Sequence, residues 1–271
     1  MAAALAKLGL PFERIPAVLG LDMPEWVKPF FLRPDGTIAS QLKRGEVGCY
    51  ASHLVVARRM VETGIPMALV FEDDLALPDD LAALVDAAVR VAAEGWDIIR
   101  LSNPPKAAYL PVAGLPGTRE LVLYSRIPNN TGASLLSLSG AKRLLIPGQR
   151  TYQIDEHLRR PWDLGMETYG IVPAPIRSNI FDTSTIDAME TRRLGRESPL
   201  AKLARRRIDP PAMLLRQLRW QYTHLGIGPW LRGILVGLKI SLARRLTAGR
   251  NADNKTGDGV QQRFRLDSDG E

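Results

Sequence analysis

The chain is poor in the residues that build disulfide, zinc and redox chemistry: among 271 residues it has a single cysteine, Cys49, and three histidines, His53, His157 and His224. One cysteine excludes an internal disulfide and fits a reducing compartment. Cys49 and His53 are spaced i, i+4 and would share a helix face, but a structural zinc site takes further ligands that so few thiols and imidazoles cannot supply. A structural role therefore fits Cys49. The sequence also lacks an apolar run long enough to cross a bilayer. Its start is small and apolar, yet Lys7 follows that run rather than preceding it and Gly9-Leu10-Pro11 breaks it, so it does not read as a secretory signal. A cytoplasmic protein is the expectation. At 45% hydrophobic residues the chain can bury one substantial core plus an appendage.

Acidic residues are scarce at one end. Residues 192–250 hold 14 Lys and Arg against two acids, Glu197 and Asp209, while the rest of the chain holds 22 against 27, so the net charge of +7 is a C-terminal property. Arg205-Arg206-Arg207, Arg216, Arg219, Arg232, Lys239 and Arg244-Arg245 are interleaved there with Trp220, Tyr222 and Trp230. Leu231, Ile234, Leu235, Leu238 and Leu242 follow helical spacing, with Arg232 and Lys239 on the flank of that stripe. Such a helix fits an anionic membrane surface, the inner face of the plasma membrane in a cytoplasmic protein. It fits equally a helix packed on the main domain with a solvated basic face. Arginines among aromatics also suit nucleic acid, but no recognition motif accompanies them, so no nucleic acid is expected. Residues 249–271 are polar and expected to be disordered.

What is present is most informative at residues 67–74, where the apolar run Met67 to Phe71 discharges into Glu72, Asp73 and Asp74. Adjacent carboxylates repel, so they need a cation or many donors, and Mn2+ or Mg2+ is the candidate. The other reading is a solvated turn in which Pro78, Asp79 and Asp80 open the next helix. Around it the pattern predicts helices over 46–61 and 79–93, strands over 68–71 and 97–101, a long loop over 104–118, strands over 121–124, 133–138 and 167–172, and a short helix over 140–145. Strands alternating with helices predict a layered α/β sheet, in which sites sit at the carboxyl ends of strands.

Several segments in order carry a more specific signal: Phe12-Glu13-Arg14-Ile15-Pro16-Ala17-Val18, then Gly45-Glu46-Val47-Gly48-Cys49-Tyr50-Ala51-Ser52-His53-Leu54, the turn Gly64-Ile65-Pro66, the acids 72–74, Thr131-Gly132-Ala133 leading to Ser139-Gly140-Ala141, Ile154-Asp155 and, more loosely, Ser178-Asn179-Ile180. This layout resembles glycosyltransferase family 25, the lipopolysaccharide and lipooligosaccharide glycosyltransferases with relatives among collagen galactosyltransferases. The resemblance implies a GT-A-like α/β/α nucleotide-sugar-binding domain over residues 1–190, lacking the family's usual first strand because Met1 falls inside the helix that follows it. A basic helical region, 191–248, and the tail, 249–271, would complete the chain.

The resemblance also implies an activity: metal-assisted, inverting transfer of a hexose, most plausibly galactose, from a UDP-sugar to a lipopolysaccharide or other glycan or lipid-linked glycan acceptor. The alternative is a degenerate, non-catalytic relative that binds a glycan, membrane or partner. On the active reading Asp74 is the direct metal ligand, Asp73 assists through water or ribose contacts, and Glu72 points away. Glu46, Ser52, His53, Asp73, Thr131 and Gly132 would contact the donor. His53 could instead fill a core or capping role, and Asn129-Asn130-Thr131-Gly132 is also ordinary turn chemistry. Gly45 and Gly48 are expected to allow close backbone approach. Asp155 would be the base that takes the acceptor's proton, with Glu156 in reserve; the competing role for Asp155 is a helix N-cap.

Overall fold

The computed structural model describes residues 2–73, 75–102, 108–129, 131–178 and 211–235. The chain runs α1 (Ala2–Lys7), a 3-10 helix (Glu25–Phe30), α2 (Arg44–Thr63), β1 (Met67–Phe71), β2 (Leu75–Ala76), α3 (Leu81–Val91), β3 (Ile98–Arg100), β4 (Tyr109–Gly114), β5 (Glu120–Tyr124), β6 (Ala133–Ser137), α4 (Leu138–Leu144), α5 (Ile154–Leu158), α6 (Pro161–Leu164), β7 (Thr168–Val172), β8 (Arg177–Ser178) and α7 (Pro211–Leu225). The main sheet has the order β1-β6-β3-β7-β5-β4, and β2 pairs separately with β8. Only β3 and β7 run parallel in it; every other neighbouring pair is antiparallel. The expected layering is present, with α2 on one face of the sheet and α3 on the other. The strand directions are more mixed than simple alternation suggests, because β6 runs between β1 and β3 and opposes both.

One expectation is overturned. Residues 109–114, read as part of a long loop, form β4 on the sheet edge. Pro111 and Gly114 argue against a central strand, but proline is tolerated on an edge, and the pairing with β5 shifts register between Pro111 and Ala113.

Helix α2 positions half of the site, and its sequence explains how. Val47, Tyr50, Ala51, Leu54, Ala57 and Met60 recur at helical spacing and are all buried against the sheet. The Glu46 carboxylate accepts the Lys43 N–H at 2.8 Å and closes the first turn, and Gly64, at φ 68°, ends the helix in the left-handed region. A Cβ on Gly48 would stand 2.4 Å from the Val18 carbonyl oxygen, so only glycine lets the 18–20 backbone lie this close. The Ser52 hydroxyl accepts the Val18 N–H at 2.9 Å and donates to the Gly48 carbonyl, also at 2.9 Å. The close approach expected at Gly48 thus serves chain packing.

The other half hangs from Asp97, a fully buried carboxylate at the entrance to β3. It accepts from the Ser139 hydroxyl at 2.7 Å, from the Glu167 N–H at 2.9 Å and from Arg143 Nε at 2.8 Å. These donors come from α4 and from the chain entering β7, so one side chain aligns three elements. Asp97→Ala leaves buried donors unpaired and should cost about 3 kcal/mol of stability. A denaturant titration showing a loss below about 1 kcal/mol would dismiss the clamp.

Helix α7 docks on the domain through one side. Trp220 joins a buried cluster of Tyr109, Val122, Tyr124, Ile127 and Val172, with its ring centroid 5.8 Å from that of Trp162. Gln221 donates to the Ser125 carbonyl and His224 bonds the Glu167 carboxylate. Its other side exposes Leu215, Leu218 and Tyr222. Gly226, at φ 73°, breaks the helix, and residues 227–235 are helical again with Leu231, Ile234 and Leu235 exposed. Among the described residues no helix is long and apolar enough to cross a membrane. The rest of 191–248, including Leu238, Lys239 and Leu242, and the tail 249–271 lie outside the described residues.

Candidate active site

The acidic end of β1 is held by the loop that feeds β6. Glu72 donates its N–H to the Gly132 carbonyl at 2.8 Å, and its Oε1 accepts from the Thr131 hydroxyl at 2.9 Å. Thr131 and Gly132, expected as donor contacts, therefore orient an acid. Asp73 is exposed beside it, while Asp74 and Asn130 lie outside the described residues. Glu72 was expected to point away from the site. Its charge nonetheless reaches Cys49 on α2, and Val70, two residues earlier, packs with the α2 side of the core.

On α2, Cys49 is close enough to that acid to feel its charge. Burial pushes the Cys49 thiol up to about 12, and the charges of Glu72, Asp155 and Glu46 add to the rise. These carboxylates and the thiol thus share one electrostatic environment. A neutral, half-buried thiol of this kind is inert, as a structural role requires. Burial also lowers His53 to about 4, with a second push from the Arg100 guanidinium. The imidazole is therefore neutral at physiological pH and can accept or donate one hydrogen bond. Ser52 and Glu46 are occupied in holding α2 together, as described above.

Asp155 enters from α5. Gln153 is the N-cap of that helix, so Asp155 sits inside the first turn and is not the cap. Its carboxylate is half-buried, close enough to Arg100, Arg159 and Cys49 to act on all three. Glu156 points elsewhere, to an ion pair with Arg160 at 3.3 Å. His157, next along, is buried against the Tyr50 hydroxyl at 2.6 Å.

Sequence reasoning missed Arg100. Its side chain is 1% exposed, and among the described residues none of its three guanidinium nitrogens has a hydrogen-bond partner. Its available signal was a charge inside the apolar strand segment Ile98-Ile99-Arg100-Leu101, since arginine is almost never fully buried unless paired. The charges of Glu72 and Asp155 thus meet at Arg100, which in turn acts on the neutral His53. Among the described residues no three His, Cys, Asp or Glu side chains come together to hold a metal ion. Glu72 and Asp73 are the members of the acidic run that the structure describes, and the described residues alone do not complete a ligand set.

A layered α/β sheet with its acidic cluster just beyond a strand end is consistent with a Rossmann-like glycosyltransferase domain. Comparison with known proteins gives a family match over part of the chain. Residues 1–108 match the family model described as glycosyltransferase family 25 (LPS biosynthesis protein), and the resemblance drawn from the motifs stands. Procollagen galactosyltransferase 1-A of Xenopus laevis is 32% identical over 151 residues, 54% of this chain and 23% of that protein. The inactive glycosyltransferase 25 family member 3 of Homo sapiens is 33% identical over 150 residues, 52% of this chain and 23% of that protein. A putative glycosyltransferase of Haemophilus influenzae is 30% identical over 80 residues, 30% of this chain and 28% of that protein. The matched segments span about a quarter of the length of these relatives.

Proposed function

We propose that the protein is a glycosyltransferase that moves a hexose, galactose on the closest chemical reading, from a UDP-sugar to a lipopolysaccharide or other glycan acceptor with inversion. The observation that supports this reading is that Glu72 and Asp155 both act on Arg100, which also acts on His53, in a chain whose first 108 residues match family 25. Asp155 is the base: an inverting displacement needs a carboxylate that takes the acceptor hydroxyl's proton as its oxygen attacks the sugar carbon. Glu156, drawn into its pair with Arg160, is less available. His53, neutral and beside Arg100, would donate to or accept from a sugar hydroxyl or phosphate.

A divalent cation, Mn2+ or Mg2+, would neutralise the departing diphosphate. Asp74 with Asp73 would hold it, and Glu72, turned toward α2 and tied to Thr131, serves the site from the other side. Calorimetry tests this directly. Asp74→Asn should remove most of the Mn2+-dependent gain in UDP affinity, and an unchanged gain would refute the ligand assignment.

The exposed apolar side chains of α7 and of residues 227–235, accompanied by Arg216, Arg219 and Arg232, favour peripheral attachment to an anionic membrane surface. Sedimentation with anionic vesicles, weakened by salt and by Leu235→Glu, is the expected result. Absence of binding would leave α7 as a packed appendage.

A second reading, a non-catalytic relative, is favoured by the similarity to family members named inactive. Hydrolysis or transfer of UDP-galactose by the purified full chain separates the two.

A further inference from the structure

Arg100 poses a problem that the reading above leaves unsolved. A guanidinium with five donors lies in the interior with every nitrogen unpartnered among the described residues, where an unpaired charge is costly. Its neighbours make the arrangement more unusual. The Tyr124 hydroxyl is likewise buried without a hydrogen-bond partner. Tyr124 reaches that position by lying across Gly170, where a Cβ would come within 1.9 Å of its hydroxyl oxygen. Arg100 and Gly170 are register partners on adjacent strands, so the glycine clears the ground beside the guanidinium.

More cations share this environment. Arg159 donates through Nε to the Ile127 carbonyl at 3.2 Å, and Ile127 belongs to the same buried cluster as Tyr124. Arg159 is close enough to Arg100, to the exposed Arg126 and to Arg160 for their charges to act on one another. Asp155, Glu156 and Glu72 temper the repulsion, but no carboxylate hydrogen-bonds Arg100. The donors of Arg100 are left for a ligand.

We propose that Arg100, with Arg159 and Arg126 leading out from it, is an oxyanion-binding track that takes the diphosphate of a ligand beside Asp155. The planar guanidinium fork matches phosphate oxygens two at a time, and burial strengthens each such bond. The unpartnered Tyr124 hydroxyl supplies a further donor at the inner end. The diphosphate belongs either to a nucleotide sugar or to a lipid-linked acceptor; this assignment rests on the glycosyl-transfer reading, whereas the phosphate chemistry can be probed without it.

The test is calorimetry on the full chain with inorganic pyrophosphate in the presence of a chelator, for wild type, Arg100→Met and Arg100→Lys. Wild type should bind, and Arg100→Met should weaken binding by about 10- to 100-fold, the range of charge-assisted hydrogen bonds. Arg100→Met should also melt no lower than wild type, because it removes an unpaired buried charge. Pyrophosphate affinity unchanged in Arg100→Met, or no binding by wild type, would overturn the proposal. So would binding of glucuronate in place of pyrophosphate, which would make the ligand a carboxylate. If Arg100→Met fails to fold, Arg100→Lys decides: it keeps the charge and loses the fork, so its affinity should fall several-fold, and equal affinity overturns the track. UDP and farnesyl diphosphate as competitors then separate the two sources. Pyrophosphate bound through Arg100 with no competition by UDP would keep the track and defeat the nucleotide-sugar reading.

Discussion

Asp155→Asn should lower transfer turnover by about 100- to 10,000-fold while leaving UDP affinity nearly unchanged. The substitution preserves volume and one acceptor oxygen but removes the ability to hold a proton, so it separates base function from packing. The position supports this separation. Asp155 lies within the first turn of α5, whose cap is Gln153, and the helix therefore does not need the carboxylate to begin. Glu156→Gln is the matched control. Its carboxylate is paired with Arg160, so turnover should change by only a few-fold. The measurement is initial-rate kinetics with UDP-galactose, alongside calorimetry with UDP. Equal turnover in Asp155→Asn would end the assignment, and a larger loss in Glu156→Gln would transfer the role to Glu156.

The sequence made the strands legible where apolar runs were short and clean. The strands read at 68–71, 121–124 and 167–172 lie within a residue of the observed ones, because the apolar run and its bounding turns say the same thing. β4 was hidden by Pro111 and Gly114, whose usual meaning inverts on a sheet edge. The order of the sheet was not legible at all. That β6 would lie between β1 and β3 depends on contacts between residues more than 30 positions apart, such as Ile98 with Leu136, and no local pattern encodes them.

The site was half legible for a related reason. Glu72, His53 and Asp155 carry charge or a proton on segments with a recognisable order, so family resemblance could collect them. Arg100 sits in a strand of three residues whose flanks read as core, and only the fold reveals that its guanidinium meets no partner. Glu46 and Ser52 illustrate a different point. Both fall in the block that resembles the family, yet both side chains close local bonds, to the Lys43 N–H and to Val18 and Gly48. The Glu at the third position of α2 is a capping signature and could have been read as one. Local chemistry had a prior claim on these atoms.

Acidification should destabilise the protein steeply between pH 6.5 and 5. His53 and His157 are both lowered to about 4, chiefly by burial, and then by Arg100 for the first and by Arg150 and Arg160 for the second. In the unfolded chain each regains its ordinary value of about 6.5. The unfolded state therefore takes up protons that the folded state refuses, and the linkage sign follows: stability is fully present above about pH 6.5 and is lost as pH falls toward 4. With two such groups the loss is roughly 2.5 kcal/mol between pH 6 and 5, or a fall in Tm on the order of 5–10 °C. His157→Gln should cost stability at pH 7.5, since its Nδ1 contact with the Tyr50 hydroxyl at 2.6 Å is disturbed, yet it should halve the slope of Tm against pH. A double substitution of His53 and His157 should flatten the slope above pH 5. The decisive measurement is a series of thermal melts from pH 7.5 to 5. A wild-type Tm that stays level across that window would mean that these imidazoles accept protons in the folded protein, and the neutral His53 assigned to the site would fall with them.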